Sequence, residues 1–277
     1  MDTQIFAICN QKGGVGKTTT SIGLARALAE DAPTLFLDLD TQCNSTYTLM
    51  GINEDEYDGP TVKEALLEDK VELINLENNL FLLPGSDDLE DHVLFTTVPP
   101  HRILRQLQKL LSKIQENTQN KFSYIVLDCP PSKGIVLQNA LVAATYALIV
   151  LKLDTYSSKG IKKLINTIDN LIEEGDSKIK IAGMLINDFD KSTEMDRNNF
   201  VKIQEMYSSY IFDTMINHNQ YVRKLVNPTQ KPRKNITHMY KEFKLELLSR
   251  ISNVSPQKWG VAKANSNKEK KIAGENK

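Results

Sequence analysis

The chain has 277 residues, of which 40% are hydrophobic and 25% are charged, and its formal net charge is −1. This composition fits a globular protein, and the length allows one large α/β domain or two small ones. No stretch approaches the roughly 20 consecutive apolar residues of a membrane-spanning helix, and the N-terminus lacks the pattern of a secretory signal. The three widely spaced cysteines exclude a disulfide framework and a paired-cysteine metal site, so we expect a cytoplasmic protein with reduced thiols.

In chain order, the predicted elements are a strand at 4–10, a helix at 17–30, strands at 34–38, 72–76 and 80–83, a helix at 101–116, a strand at 124–128, a helix at 135–146, a strand at 147–151, a helix at 159–173, a strand at 179–187, a helix at 196–208, a strand at 211–215 and a helix at 238–251. Short, continuously apolar strands that alternate with helices predict an α/β fold. We expect a mostly parallel, twisted sheet with helices on both faces.

The charge is unevenly distributed along the chain. Residues 1–100 hold 5 Lys/Arg and 18 Asp/Glu (−13), residues 101–227 hold 17 and 13 (+4), and residues 228–277 hold 12 and 4 (+8), which sum to −1. A basic C-terminal part can face nucleic acid or another polyanion. A lysine-rich tail that is simply solvated explains the same distribution equally well.

The chain is predicted to form one domain over residues 1–251, followed by a basic tail over residues 252–277. Asn, Ser, Lys, Glu and Gly dominate the tail. It cannot bury enough apolar surface to offset the entropy of ordering it, so we expect it to be disordered.

A glycine-rich loop with the sequence QKGGVGKTTT, residues 11–20, lies between the first predicted strand and the first predicted helix. That position is typical of a phosphate-binding P-loop, in which backbone amides and the helix N-terminus surround the phosphates. We expect Lys17 to reach the β- and γ-phosphates and the Thr18 hydroxyl to bind Mg²⁺. The residues predicted to bind the nucleotide here are Gly13, Gly14, Val15, Gly16, Lys17, Thr18 and Thr19.

Three carboxylates follow predicted strands. Asp38 and Asp40 lie in the sequence LDLDTQCN after the second strand, and Asp128 ends the strand YIVLD. The carboxyl ends of parallel strands form the edge where open α/β sheets bind ligands. Acidic residues there can position water and metal ions for phosphoryl transfer, although surface acids that cap loops produce the same pattern.

The loop sequence KGGVGKTTT resembles that of the deviant P-loop ATPases, the group that contains ParA/Soj partition proteins, MinD and the nitrogenase iron protein. The resemblance implies an extra lysine, Lys12, that contacts phosphates across a sandwich dimer and acts in catalysis with Lys17. The segment LDLDTQCN resembles the D-x-D-P-Q-x-N segment of the ParA/Soj branch, with Thr41 in place of proline. By that resemblance Asp40 orients or activates the attacking water, and Asp38 supports the Mg²⁺ region.

Further positions follow from the same resemblance. Asp128 is expected to hold Mg²⁺ through water, and Asn187 matches a position that contacts adenine in some relatives. Lys152 stands where the family usually has proline. The four histidines show no ligand spacing, so no chemistry is assigned to His218 or to the others.

The ParA/Soj branch is favoured over the two others. No cysteine is placed to hold the cluster of the nitrogenase-type branch, and the tail has no apolar stripe for the membrane binding of the MinD branch. The ParA/Soj branch binds DNA non-specifically through phosphate neutralisation. Arg223 and Lys224 match its basic segment, and Lys191 matches less well, although each is individually compatible with a solvated surface charge.

The sequence therefore predicts a DNA-segregation ATPase of the ParA/Soj type that uses ATP and Mg²⁺. ATP would close a homodimer that binds double-stranded DNA on the nucleoid, and a centromere-binding ParB-type adaptor would trigger hydrolysis. Three alternatives remain open. They are a MinD-like positioning ATPase, an ATPase that positions a protein cargo, and a DNA-binding scaffold that holds ATP with little turnover.

Overall fold

The computed structural model describes residues 2–53, 56–77, 79–89, 100–118, 121–154, 157–218 and 234–253. The strands are β1 (Gln4–Cys9), β2 (Thr34–Asp38), β3 (Ile74–Glu77), β4 (Leu80–Leu83), β5 (Tyr124–Asp128), β6 (Tyr146–Leu151), β7 (Lys180–Phe189) and β8 (Ile216–Asn217). The helices are α1 (Lys17–Ala29), α2 (Asn44–Met50), α3 (Val62–Leu67), α4 (Pro100–Ile103), α5 (Gln106–Asn117), α6 (Ile135–Ala143), α7 (Ser157–Glu173), α8 (Glu194–Tyr207) and α9 (Lys234–Asn253).

The strands form one sheet in the order β3-β4-β2-β5-β1-β6-β7-β8. The pairs from β4 to β8 are parallel, and β3 adds an antiparallel strand at one edge. The predicted α/β fold with a mostly parallel sheet is confirmed. Because β1 lies between β5 and β6, the loop after β1 opens beside the carboxyl ends of both neighbours.

Apolar side chains bury both faces of the sheet, as the continuously apolar strands predict. One face is covered by α3, α5, α6, α7 and α8, with Leu107, Leu137 and Leu164 among the buried residues. The other face is covered by α1, α2 and α9, with Ile22 and Phe243 in its core. In the described part of the chain, each helix is too short or too polar to cross a bilayer.

Helix α9 packs directly on α1, the helix that follows the glycine loop. The Tyr240 ring is buried against Gly23, where an added Cβ would lie 2.4 Å from the ring. The buried ammonium of Lys244 donates to the carbonyl of Ala27 (3.0 Å) and to the carboxylate of Asp31 (2.6 Å). A lysine at the C-terminus of a helix satisfies its last carbonyls, so α9 fixes the far end of α1.

Several predicted elements differ from the structure. The strand predicted at 211–215 is wrong, because β8 is Ile216–Asn217 and Ile211 forms only an isolated bridge with Met184. The helix predicted at 101–116 is divided into α4 and α5. Helices α2 and α3 were not predicted, since seven and six residues are too few for a periodic pattern. Helix α9 extends to Asn253, and the predicted tail beyond it lies outside the described residues.

Candidate nucleotide-binding site

The glycine loop connects the end of β1 to the start of α1, as the motif predicts. Gly14 (φ 72°) and Gly16 (φ 96°) adopt left-handed backbone conformations that glycine reaches without strain. In this described loop no side chain caps the N-terminus of α1 at Gly16. The first amides of α1 and the positive end of its dipole are therefore available to an anion.

Two asparagines fix the loop to neighbouring strands. Asn10 donates from Nδ2 to the carbonyl of Val150 at the end of β6 (2.7 Å) and accepts from the amide of Lys12 (2.9 Å). Asn187 on β7 donates from Nδ2 to the carbonyl of Val15 (2.8 Å). Asn10 and Asn187 are both 5% exposed. The loop is thus held before any ligand binds, which lowers the entropy lost on binding.

Lys17 lies at the carboxyl ends of the parallel strands. Its side chain is buried, and Nζ donates to the carbonyl of Lys12 (3.3 Å). Burial lowers the pKa of Lys17, and the charges of Asp128 and Asp40 oppose that shift. These two carboxylates favour the charged form of the ammonium, which suits a group predicted to contact phosphates.

Asp128 ends β5 beside Asp38 and the first turns of α1. It pairs in register with Asp38 on the neighbouring strand, and its Oδ1 accepts from the Ser21 hydroxyl (2.9 Å). Its Oδ2 is buried without a hydrogen-bond partner among the described residues. Burial and the charge of Asp38 raise the pKa of Asp128 to about 7, against the opposing effects of Ser21, Thr18 and Lys17. A buried carboxylate beside a P-loop threonine fits a magnesium ion directly or through water.

Asp38 has both carboxylate oxygens in hydrogen bonds to protein. Oδ2 accepts from the amide and the hydroxyl of Thr46 (both 2.8 Å), and Oδ1 accepts from the amide of Asp40 (3.2 Å). Burial raises the pKa of Asp38, and the hydrogen bonds from Ser45, Thr46 and Asp40 counteract this rise. These contacts favour a role in holding the loop that carries Asp40, and the predicted support of Mg²⁺ stays a prediction.

Asp40 is partly exposed at the same edge of the sheet. Its Oδ1 accepts from the amide of Gln42 (3.2 Å), and its carbonyl accepts from the amide of Cys43 (2.9 Å). The carboxylate is close enough to contribute to the charge environment of Lys17. The structure therefore brings Asp40 near Lys17 at this edge of the sheet, and its predicted role at the attacking water stays a prediction.

The extra lysine of the loop, Lys12, forms an ion pair within the same subunit. Its Nζ contacts a carboxylate oxygen of Asp154, three residues beyond the end of β6. The Lys12 side chain is 43% exposed, so solvent screens this pair. Lys12 can therefore exchange Asp154 for another anion at small cost.

Asn187 contacts the loop more closely than any other side chain near Gly16. A Cβ added to Gly16 would lie 2.0 Å from Asn187 Nδ2. Asn187 Oδ1 is buried and has no hydrogen-bond partner among the described residues. An amide oxygen in this position can accept a hydrogen bond from a ligand such as the amino group of adenine.

The predicted DNA-binding residues are only partly described. Lys191 is exposed after β7, and its carbonyl accepts from the guanidinium of Arg197 (2.8 Å). Arg223 and Lys224 lie outside the described residues.

Ser21, Asn10 and Asp154 also contact residues of the site but were not predicted from the sequence. Ser21 is one helical turn beyond Lys17, on the same side of α1, and could have been found from that spacing. Asn10 could have been found as a polar residue that ends an apolar strand directly before the loop. Asp154 carries no local signal, because its partner Lys12 is 142 positions away.

A family model described as an AAA domain matches residues 3–181. The chromosome partitioning protein ParA of Myxococcus xanthus is 34% identical over 222 residues, which cover 78% of this chain and 76% of that protein. The sporulation initiation inhibitor protein Soj of Bacillus subtilis is 29% identical over 222 residues, covering 78% and 85%. Among solved structures, a cobyrinic acid a,c-diamide synthase from Mycobacterium smegmatis with bound ATP analogue and magnesium has a TM-score of 0.75. It is 27% identical, and the match covers 91% of this chain and 97% of that one.

The sheet order and the glycine loop define a class of protein, the P-loop nucleoside triphosphatases with a mostly parallel sheet. Within that class the chain belongs to the ParA/Soj family of partition ATPases. The resemblance drawn from the loop and from the LDLDTQCN segment is confirmed.

Proposed function

We propose that this protein is a DNA-partition ATPase that dimerises on ATP, binds double-stranded DNA non-specifically and is released by partner-stimulated hydrolysis. One observation carries the proposal. Asp128 Oδ2, which is buried without a hydrogen-bond partner among the described residues, lies near Lys17 beside the first turns of α1. No side chain caps that helix at Gly16, and this arrangement suits a phosphate and a metal ion.

The nucleotide is ATP with Mg²⁺. A solved structure that is 27% identical contains an ATP analogue and magnesium, and the loop geometry described above suits the same ligands. Gly13 to Thr19 would surround the phosphates, with the ammonium of Lys17 on the β- and γ-phosphates. The Thr18 hydroxyl and Asp128 would hold the metal ion, and Asn187 would accept from adenine. Magnesium supplies charge stabilisation for the phosphoryl oxygens.

Hydrolysis needs a positioned water and little covalent chemistry from the protein. Asp40 is the carboxylate best placed for this task, because it is partly exposed beyond β2 while Asp38 anchors its backbone. Asp38 would support the magnesium region through this anchoring. Lys17 and Lys12 would stabilise the charge that develops on the transferred phosphoryl group.

Family membership and the charge distribution support the proposed binding to DNA and to an adaptor protein. Arg223, Lys224 and Lys191 are proposed to contact DNA phosphates, which requires no base-reading motif. A ParB-type centromere-binding protein would stimulate hydrolysis. The protein would then act in the cytoplasm on the nucleoid, without a membrane.

The proposed dimer is tested by Lys12→Gln. In one subunit the exposed Lys12 pairs with the partly buried Asp154, and in the dimer it would exchange that partner for a phosphate of the other subunit. Wild-type protein should double its mass with ATP and Mg²⁺, but not with ADP, in light scattering. Lys12→Gln should bind ATP and remain a monomer, because it lacks the ammonium that would contact the phosphate across the interface.

Lys63→Gln is the matched control, because Lys63 on helix α3 also forms a solvent-accessible ion pair, with Asp88, and is not part of the glycine loop. It should dimerise as wild type does. Full ATP-dependent dimerisation of Lys12→Gln would remove Lys12 from the interface.

A further inference from the structure

Residues at the ends of three neighbouring strands, β6, β7 and β8, meet at the carboxylate of Asp188. Asp188, next to the last residue of β7, accepts from Lys152 Nζ at Oδ2 (2.5 Å) and contacts His218 Nδ1 at Oδ1 (2.6 Å). Lys152 directly follows β6, and His218 directly follows β8. Asp188, Lys152 and His218 therefore form one cluster. It includes the lysine that replaces the family proline and a histidine to which the sequence assigned no chemistry.

The Asp188 backbone is in an unusual conformation. Its φ is 59°, in the left-handed region that non-glycine residues seldom adopt. The pairing of β7 with β8 is also irregular between Asn187 and Phe189. A residue keeps such a conformation only when surrounding contacts impose it. The two contacts of the Asp188 carboxylate, together with the bond from the His218 amide to the Phe189 carbonyl (2.8 Å), supply them.

The residue directly before this strained position is Asn187. Its Nδ2 holds the Val15 carbonyl (2.8 Å), and it lies so close to Gly16 that no Cβ would fit there. A change of backbone conformation at Asp188 would rotate the peptide that carries Asn187. The placement of Asn187 against the loop therefore depends on the conformation at Asp188.

The neighbours of Asp188 favour the ionised form of its carboxylate. Burial alone would raise the pKa of Asp188, but the hydrogen bonds and charges of Lys152 and His218 lower it below its ordinary value. Asp188 is thus ionised at neutral pH, and its ion pair with Lys152 is partly shielded from solvent, with the carboxylate side chain 18% exposed. Charge-assisted bonds of this kind are stronger than neutral ones.

We propose that Asp188 is a positioning residue for nucleotide binding, which acts through Asn187 and is held in place by Lys152 and His218. The proposal rests on the proposed ATP site and deepens it. It assigns ATP affinity, rather than the hydrolytic step, to the cluster at the ends of β6, β7 and β8.

The test is a double-mutant cycle with Asp188→Asn and Asn187→Ala. Asp188→Asn keeps the size of the side chain and removes its charge. It should weaken ATP binding about tenfold, the effect of losing one well-placed hydrogen bond, and leave kcat at saturating ATP unchanged. Asn187→Ala should weaken binding by a similar factor. The double variant should bind ATP no more weakly than Asn187→Ala alone, because Asp188 acts through Asn187.

Asp190→Asn is the matched control. Asp190 is a neighbouring carboxylate that accepts from the amide and the hydroxyl of Ser192 instead of joining the cluster, so its variant should bind ATP as wild type does. Additive losses in the double variant, or wild-type affinity of Asp188→Asn, would overturn the inference while leaving the ATP site intact. A wild-type protein that does not bind ATP would instead overturn the proposed function, and this inference with it.

Discussion

Asp40→Ala is expected to bind ATP and Mg²⁺ nearly as wild type does and to lose hydrolysis by about 100-fold or more, the range for removing a group that positions or activates water. The carboxylate lies beyond the end of β2 and contributes to the charge around Lys17, the residue proposed to contact the phosphates. It is not among the groups that would surround the phosphates. Phosphate release under single-turnover conditions, beside an ATP-binding measurement, separates the two effects.

Glu174→Ala is the matched control for this variant. Glu174 is an exposed acid between α7 and β7, at the opposite edge of the sheet, and its removal should leave hydrolysis unchanged. Wild-type turnover by Asp40→Ala would show that another group positions the water, and the proposed role of Asp40 would be wrong.

Asp128→Asn is expected to lose the magnesium-dependent part of the stabilisation that ATP confers, while the ligand-free protein is as stable as wild type or more so. An asparagine Oδ1 can still accept from the Ser21 hydroxyl. The variant removes a buried carboxyl whose pKa is raised to about 7. A carboxyl group whose pKa is raised in the folded state contributes stability at low pH, and that contribution is lost as the pH rises through the raised pKa. The free energy of unfolding of the variant should therefore exceed that of wild type most above about pH 7.

Thermal unfolding with ATP and Mg²⁺, with ATP and EDTA, and without ligand measures the effect. Saturation at about 100 times the dissociation constant stabilises a native state by about 2.7 kcal/mol, so the wild-type shift should be large. In EDTA the two proteins should respond alike to ATP, which serves as the internal control. If Mg²⁺ raised the unfolding temperature of ATP-bound Asp128→Asn as much as that of wild type, the role of this carboxylate at the metal ion would be contradicted.

The nucleotide site could be predicted because its signals are local. A glycine loop between a strand and a helix, and acids at the ends of apolar strands, are each visible within ten residues of sequence. Parallel pairing then brings the ends together, as the register of Asp38 with Asp128 shows. The contacts that tune the site, such as Lys12 with Asp154 and Lys152 with Asp188, join residues far apart in sequence. They depend on strand order, which no local pattern encodes.

The misplaced last strand has a similar cause. Residues 211–215 have the composition of a strand, but α9 occupies their backbone groups. The Glu246 carboxylate accepts from two amides of the segment (2.7 and 2.8 Å). The Arg250 guanidinium donates to the carbonyls of Tyr210 and Ile211 and lies 4.2 Å from the centre of the Phe212 ring. Backbone groups bonded to a helix cannot join the ladder, so the sheet resumes only at Ile216.

In the proposed function, ATP controls the binding of this protein to DNA. The most direct measurement is gel retardation of random-sequence duplex DNA by the purified protein with ATP, with ADP and without nucleotide. Retardation with ATP alone, lost progressively as salt rises, is the predicted result, because such binding depends on neutralised phosphates. Retardation that is absent in all three states, or equal in all three, would contradict the account of a nucleotide-controlled DNA-partition ATPase.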